Sequence, residues 1–176
     1  MARRPRRGKM SIVTQLLEIP GHSSPSVYLL DAREVGLDQT TLRATARALS
    51  EGGRYSSRSY RYPFALVAVH EDRVGVDIER TTSWEPQMIR SILTPGECEP
   101  YTSPSKDEWA TSVWSSKEAM AKALGNPMDY DPRRLESPLL WPPGGAGRWQ
   151  ASTLPVPAGH VGWICWQPLF VGTRTR

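Results

Sequence analysis

Metal-binding and redox motifs are missing from this sequence. It has two cysteines, Cys98 and Cys165, and three histidines, and neither residue type shows the spacing of a zinc site or of a redox pair. A reduced thiol is the expectation for each cysteine, which favours a cytoplasmic setting.

Long apolar runs are missing as well. No stretch approaches the ~20 consecutive apolar residues that a membrane-spanning helix needs. The basic start MARRPRRGK leads into no signal-like apolar segment. We therefore expect a cytoplasmic protein with no membrane partner.

Positive charge is concentrated at the N-terminus. The net charge is +4, but residues 1–9 hold five basic residues and no acid, so the rest of the chain is close to neutral. We predict a basic flexible tail at residues 1–10 and one globular domain over residues 11–176. That domain carries no nucleic-acid-binding motif, so we expect no nucleic-acid partner.

The first half of the chain shows alternating strand and helix signals. Residues 26–31 (SVYLLD) predict a strand, and residues 38–49 predict a helix that ends before two glycines. Residues 64–69 and 74–78 are two apolar runs joined by four polar residues, which predicts a hairpin. Arg43 and Arg47 lie one turn apart on the helix. A solvated face is the commoner explanation for such a pair, and a phosphate contact is the alternative.

The second half is dominated by one long predicted helix. Proline at position 86 starts a short apolar-periodic helix, and TPGE at residues 94–97 has the pattern of a capping box. A second capping box, Ser105 with Glu108, starts the helix of residues 106–124, which Gly125 ends. Residues 149–153 and 161–166 predict strands, with a glycine-rich turn before them. The predicted fold class is α+β.

Two acidic residues share one face of a predicted strand. In VGVDIE the three apolar residues point one way, so Gly75, Asp77 and Glu79 share the other face. Two carboxylates beside a glycine that leaves room suit a hard cation such as Mg²⁺. An exposed strand edge with solvated acids is the alternative.

The long helix carries further charged residues. Glu118 and Lys122 lie one turn apart, and Lys117 is adjacent to Glu118. The alternatives are an ordinary surface ion pair and a location near the sheet edge, where Glu118 completes a three-carboxylate site.

These two segments together carry a family resemblance. VGVDIE at Val74–Glu79 followed by WSSKEAMAK at Trp114–Lys122 resembles the paired signature of the 4′-phosphopantetheinyl transferase superfamily. LTPGE at Leu93–Glu97 and KALG at Lys122–Gly125 are lesser matches. The similarity covers residues 26–170 and is closest to a compact form of the monomeric, pseudo-duplicated branch.

The resemblance implies a fold and a reaction. The fold is two similar α/β halves, residues 11–84 and 85–176, each a small mainly antiparallel sheet packed on a helix. The reaction moves the phosphopantetheine arm of coenzyme A onto a serine of an acyl or peptidyl carrier protein, as in polyketide and nonribosomal peptide biosynthesis. By this resemblance the cofactor is Mg²⁺.

Residue roles follow from the same resemblance. Asp77, Glu79 and Glu118 would hold Mg²⁺. Glu118 would deprotonate the serine, directly or through a bound water. Lys122 would offset charge on the phosphates, and Lys117 would assist in binding coenzyme A.

The segment before the hairpin departs from the family pattern. Tyr60 stands where a histidine that contacts a coenzyme A phosphate is expected, beside Ser59, and the loop near the adenine is reduced to a glycine followed by Arg54. We expect Arg54, Ser59 and Tyr60 to contact coenzyme A, with Arg58 or Arg61 supplying the missing charge. The departure leaves two alternatives, which are a repurposed homologue such as a cyclase or other tailoring enzyme of natural-product biosynthesis, and a non-catalytic carrier-binding module.

Overall fold

The computed structural model describes residues 12–19, 24–33, 38–97 and 105–169. The predicted basic tail, residues 1–10, lies outside these ranges. Within them the chain has seven strands, three α-helices and two single-turn 3₁₀ helices. No helix in the described ranges is both long and apolar enough to cross a bilayer.

The strands form two antiparallel sheets. Sheet 1 has the order β1-β2-β4-β3, from β1 (Val13–Leu17), β2 (Ser26–Asp31), β3 (Tyr55–Arg61) and β4 (Phe64–His70). Sheet 2 has the order β5-β7-β6, from β5 (Val74–Arg80), β6 (Gln150–Leu154) and β7 (His160–Trp166). The predicted α+β class is confirmed, with each sheet packed on a helix.

The predicted hairpin of residues 64–69 and 74–78 is wrong. The two runs are strands β4 and β5, but β5 pairs with β7 of sheet 2 and β4 pairs with β2 and β3 of sheet 1. A polar linker between two apolar strands is compatible with a hairpin and also with a crossing from one sheet to another. Strands that are distant in sequence decide between the two, because they are the pairing partners. The chain therefore passes from sheet 1 to sheet 2 at residues 71–73.

Helices cover the outer faces of the sheets. Helix α1 (Gln39–Ser50) packs on sheet 1 through Leu42 and Ala46. Helices α2 (Pro86–Ile92) and α3 (Lys106–Leu124) lie on the side of sheet 2. A third apolar cluster fills the space between the sheets, so the order of layers is α1, sheet 1, sheet 2, α3. Its buried members are Leu17, Val27, Leu29, Phe64, Leu66, Ala68, Val74, Val76, Ile78, Leu154, Ile164 and Trp166.

Helix α3 has the limits that its sequence predicts. The Ser105 hydroxyl accepts from the backbone N–H of Glu108, and Gly125 takes the left-handed conformation at φ 85°. Trp109, Val113 and Met120 are buried as expected, whereas Leu124, at the last turn, is exposed. The TPGE segment does not start a helix in the described residues. Its Glu97 side chain accepts from Thr94 N, and residues 94–97 form a turn.

Candidate functional site

Strands β3 and β5 meet where the two sheets adjoin, through side chains and not through a backbone ladder. Val76 N donates to the Ser57 hydroxyl at 3.0 Å, and the Ser59 hydroxyl donates to Asp77 Oδ1 at 2.7 Å. Both serines are buried. The structure thus uses Ser59 to hold Asp77, which departs from the expectation that Ser59 contacts coenzyme A.

Helix α3 crosses β5 at very close range. A Cβ at Gly75 would lie 1.9 Å from the Ala119 carbonyl oxygen and 2.5 Å from Ala123 N. The glycine therefore makes room for the helix backbone and not, as we predicted, for a cation. The close approach brings the helix side chains at Glu118 and Lys122 over the acidic face of β5.

Asp77 is the most buried acid of this face, with 2% of its surface exposed. Its Oδ1 accepts from Lys122 Nζ at 2.6 Å and from Ser59. Its Oδ2 is buried and has no hydrogen-bond partner. An exposed strand edge with solvated acids is thereby excluded, and an orphaned buried carboxylate oxygen calls for a further partner.

Glu79 and Glu118 both interact electrostatically with Asp77, and the pKa of each is raised above that of an ordinary glutamate. Arg61 forms an ion pair with Glu79, and Trp114 Nε1 donates to its other oxygen at 3.3 Å. Burial raises the pKa of Glu79, and the nearby Asp77 raises it further. Burial likewise raises the pKa of Glu118, with Asp77 adding to it.

The three carboxylates therefore interact electrostatically, but they do not form a metal-binding cluster. Among the described residues, no three histidine, cysteine, aspartate or glutamate side chains stand close enough to hold a metal ion as they are. Each carboxylate is turned toward a different donor, namely Lys122, Arg61 or Tyr130. The structure does not show the three-carboxylate metal site as a formed site.

Lys117, which precedes Glu118 on helix α3, is fully buried. Its ammonium donates to Glu97 Oε2 at 2.5 Å, to Ile92 O at 2.6 Å and to Pro132 O at 2.9 Å. Burial lowers the pKa of Lys117, and the Glu97 carboxylate opposes this change. With all three donors used inside the protein, Lys117 cannot have the expected role of binding coenzyme A directly, and the structure gives it a role in the core.

A cationic cleft of about 430 Å³ lies beside Lys122. The Arg43 guanidinium stacks over the Tyr60 ring at 4.7 Å, and Arg58 donates to the Ser50 hydroxyl at 3.0 Å. Arg54 stacks on Tyr55 and is not among the lining residues, so the structure brings Tyr60 to the cleft but not Arg54. The lining consists of Arg43, Arg47, Ser56, Ser57, Arg58, Tyr60, Lys122 and Pro127.

A family model for the 4′-phosphopantetheinyl transferase superfamily matches residues 73–155. Over this stretch the chain is similar to that superfamily. The match includes β5 and α3, and with them all three carboxylates and both lysines. No curated protein sequence matches the chain.

The superfamily that matches is one of transferases, and the match therefore supports a transferase. The cationic cleft is contributed largely by α1 and β3, outside the matched residues. Sequence patterns pointed to Arg43 and Arg47 only through their one-turn spacing, and gave no signal for Tyr130, which follows the helix in an irregular segment.

An apolar cavity of about 580 Å³ lies beside Glu79. Glu79 and Arg61 line it together with Trp84 and Trp114, whose ring nitrogens donate to Thr111 and Glu79. Glu79 thus lines the apolar cavity, while Lys122, the ion-pair partner of Asp77, lines the cationic cleft. The lining comprises Arg61, Glu79, Arg80, Thr82, Trp84, Met88, Ser91, Ile92, Thr111 and Trp114.

The donor set of the site fits a magnesium ion. Burial is the main cause of the raised pKa values of Glu79 and Glu118, and Asp77, whose Oδ2 is unpartnered, adds to both, so the three carboxylates interact in a poorly hydrated place. Oxygen ligands from a few carboxylates are what Mg²⁺ prefers.

Proposed function

We propose that this protein transfers the 4′-phosphopantetheine arm of coenzyme A to a serine hydroxyl of an acyl or peptidyl carrier protein, with Mg²⁺ as the cofactor. The observation that carries the proposal is the unpartnered Oδ2 of Asp77, whose ion-pair partner Lys122 lines a cationic cleft and whose strand neighbour Glu79 lines an apolar cavity. Coenzyme A has the same polarity, with a phosphorylated nucleotide at one end and an uncharged pantetheine arm at the other.

The cationic cleft is suited to the nucleotide end. Phosphates are recognised by arginine through charge-assisted, often bidentate hydrogen bonds. Arg43 and Arg47 on α1 and Arg58 on β3 offer such donors around Tyr60. The charge missing at Tyr60 relative to the family's histidine is then supplied by Arg43, which the ring itself holds in place.

The carboxylates would bind the metal and handle the proton. Asp77, Glu79 and Glu118 would hold Mg²⁺, which when bound supplies positive charge against the pyrophosphate. Glu118 takes the proton of the carrier serine, a task helped by its raised pKa, which brings it nearer to the pH of the reaction. The serine oxygen bonds to the phosphorus that carries the pantetheine arm, and the bond from that phosphorus to adenosine 3′,5′-bisphosphate breaks.

Lys122 acts between the two ends of the substrate. It is 2.6 Å from Asp77, yet it also lines the cationic cleft. Its ammonium is placed to neutralise charge on the departing bisphosphate, where electrostatic stabilisation is worth most. Trp84 and Trp114 keep water from the pantetheine side. The proposal includes a monomeric enzyme of the cytoplasm that serves polyketide or nonribosomal peptide biosynthesis.

The test is a mass measurement. The purified protein is incubated with coenzyme A, Mg²⁺ and a panel of apo acyl and peptidyl carrier proteins. A mass gain of one phosphopantetheine arm on a carrier, lost with a chelator and with Asp77→Asn, is the expected result. No gain on any carrier, while an apolar ligand binds the tryptophan-lined cavity, would overturn the proposal in favour of a repurposed enzyme.

A further inference from the structure

Tyr130 touches the residue that the proposed reaction uses as its base. Its hydroxyl donates to Glu118 Oε1 at 2.6 Å, and both side chains are partly buried. The phenol hydroxyl is the donor of this hydrogen bond, because an ionised carboxylate can only accept.

The segment that carries Tyr130 is tied to helix α3 at both ends. At its start, Gly125 reverses the chain and Asn126 N donates to the Ala121 carbonyl at 3.0 Å. At its end, the buried ammonium of Lys117 donates to the Pro132 carbonyl. Lys117 precedes Glu118 on the helix, so neighbouring helix residues hold the segment and receive its tyrosine.

We infer that Tyr130 is a positioning residue that fixes the Glu118 carboxylate for the metal and the serine, and that Lys117 holds the segment that carries it. The inference rests on the proposed function. A hydrogen bond to one carboxylate oxygen orients the group and leaves the other oxygen free for a ligand. The same arrangement gives Lys117 a purpose near the site without any contact with coenzyme A.

The test measures ion binding directly. Mn²⁺, which takes the same oxygen ligands as Mg²⁺, is titrated into the protein with coenzyme A present, and the free ion is followed by its electron paramagnetic resonance. We expect Tyr130→Phe to weaken Mn²⁺ binding about ten- to a hundredfold, the usual effect of removing a hydrogen-bond partner of a metal ligand. The affinity for coenzyme A, measured by calorimetry without metal, and the melting temperature should stay near the wild-type values. Tyr55→Phe, at an exposed tyrosine on β3, is the matched control.

A double variant distinguishes a positioning role of Tyr130 from a general disturbance of the fold. With Glu118→Gln in place, adding Tyr130→Phe should produce no further loss of Mn²⁺ affinity, since the two changes act through one carboxylate. Three results would overturn the inference without touching the proposed function. They are equal losses of Mn²⁺ affinity in both backgrounds, an unchanged Mn²⁺ affinity in Tyr130→Phe, and a parallel loss of coenzyme A affinity. A wild-type protein that binds coenzyme A but no Mn²⁺ would overturn the metal role in the proposed function as well.

Discussion

Lys122 of α3 and Asp77 of β5 form a partly buried ion pair of 2.6 Å that joins the two segments of the family signature. Lys122 Nζ also donates to the Val76 carbonyl at 3.2 Å, so it bonds both the backbone and the acid of the strand. The pair offsets the charge of an aspartate that is almost entirely buried. Structure and proposed chemistry therefore depend on the same lysine.

Replacing the lysine should affect both stability and turnover. Lys122→Met leaves the buried Asp77 without its counter-charge, and we expect a loss of about 2 kcal/mol in the free energy of unfolding, less than for a fully buried pair because Lys122 is partly exposed. The value of kcat should fall more than KM for coenzyme A rises, because Lys122 acts on developing charge. Urea denaturation and steady-state kinetics measure the two effects, with the exposed Lys106→Met as control. A normal kcat with weaker coenzyme A binding would assign Lys122 to ground-state binding.

Asp77 itself should be indispensable for activity. We expect Asp77→Asn to lower kcat/KM by about a hundredfold or more, because a lost metal ligand removes several kcal/mol of charge stabilisation. The carrier-modification assay provides the measurement, and Asp129→Asn at an exposed aspartate is the control. Wild-type activity in Asp77→Asn would contradict the assignment of the site.

The close approach of α3 and β5 should tolerate no side chain larger than hydrogen. Gly75→Ala would place a methyl group against backbone atoms of Ala119 and Ala123, and we expect it to destabilise the protein by about 3 kcal/mol. Gly96→Ala, at an exposed glycine with no atom within 4 Å of the added carbon, should change stability by less than about 0.5 kcal/mol. Thermal or chemical denaturation compares the two. Equal stabilities would mean that the helix does not lie at this distance from the strand.

Arg43 should supply the phosphate charge that Tyr60 lacks. We expect Arg43→Gln to weaken coenzyme A binding about tenfold or more, the value of one charge-assisted hydrogen bond. Tyr60→Leu, which removes the ring under the guanidinium, should produce a smaller loss in the same direction. Calorimetry measures both. The matched control is Arg148→Gln, since Arg148 also stacks on an aromatic ring, that of Trp149, but lies outside the cleft lining. No effect of Arg43→Gln would remove Arg43 from the nucleotide site.

The two glutamates should make stability depend on pH in a defined direction. Their pKa values are raised in the folded protein above the ordinary value of 4.5, so between 4.5 and the raised values the folded state binds more protons than the unfolded state. Their contribution to the free energy of unfolding therefore increases, which stabilises the protein, as the pH falls from neutral toward 4.5. Relative to Glu118→Gln, the wild type should gain stability over this interval in metal-free buffer.

Added Mg²⁺ should oppose that trend, because it binds the ionised carboxylates. The rise in melting temperature caused by Mg²⁺ should be larger at pH 8 than at pH 5 and absent in Asp77→Asn. A pH-independent rise would indicate that the ion binds elsewhere.

The sequence by itself determined the elements whose signals are local. Ser105 and Gly125 mark the ends of α3 because a cap is a contact within one turn. The alternation in β5 correctly separated Val74, Val76 and Ile78 from the acidic face. The family signature also lies within these two elements, which is why the resemblance to the superfamily could be recognised before the structure.

Only the tertiary structure decided what covers each face. The periodicity of β5 shows that Asp77 and Gly75 share a side, but not that a helix backbone lies against it. Strand β3, YSSRSYR, has no apolar alternation, so its sequence does not predict a strand. Its buried serines form their hydrogen bonds with β5, which belongs to the other sheet. The positions of Lys117 in the core and Tyr130 on Glu118 likewise depend on contacts between separate segments, which residue spacing does not encode.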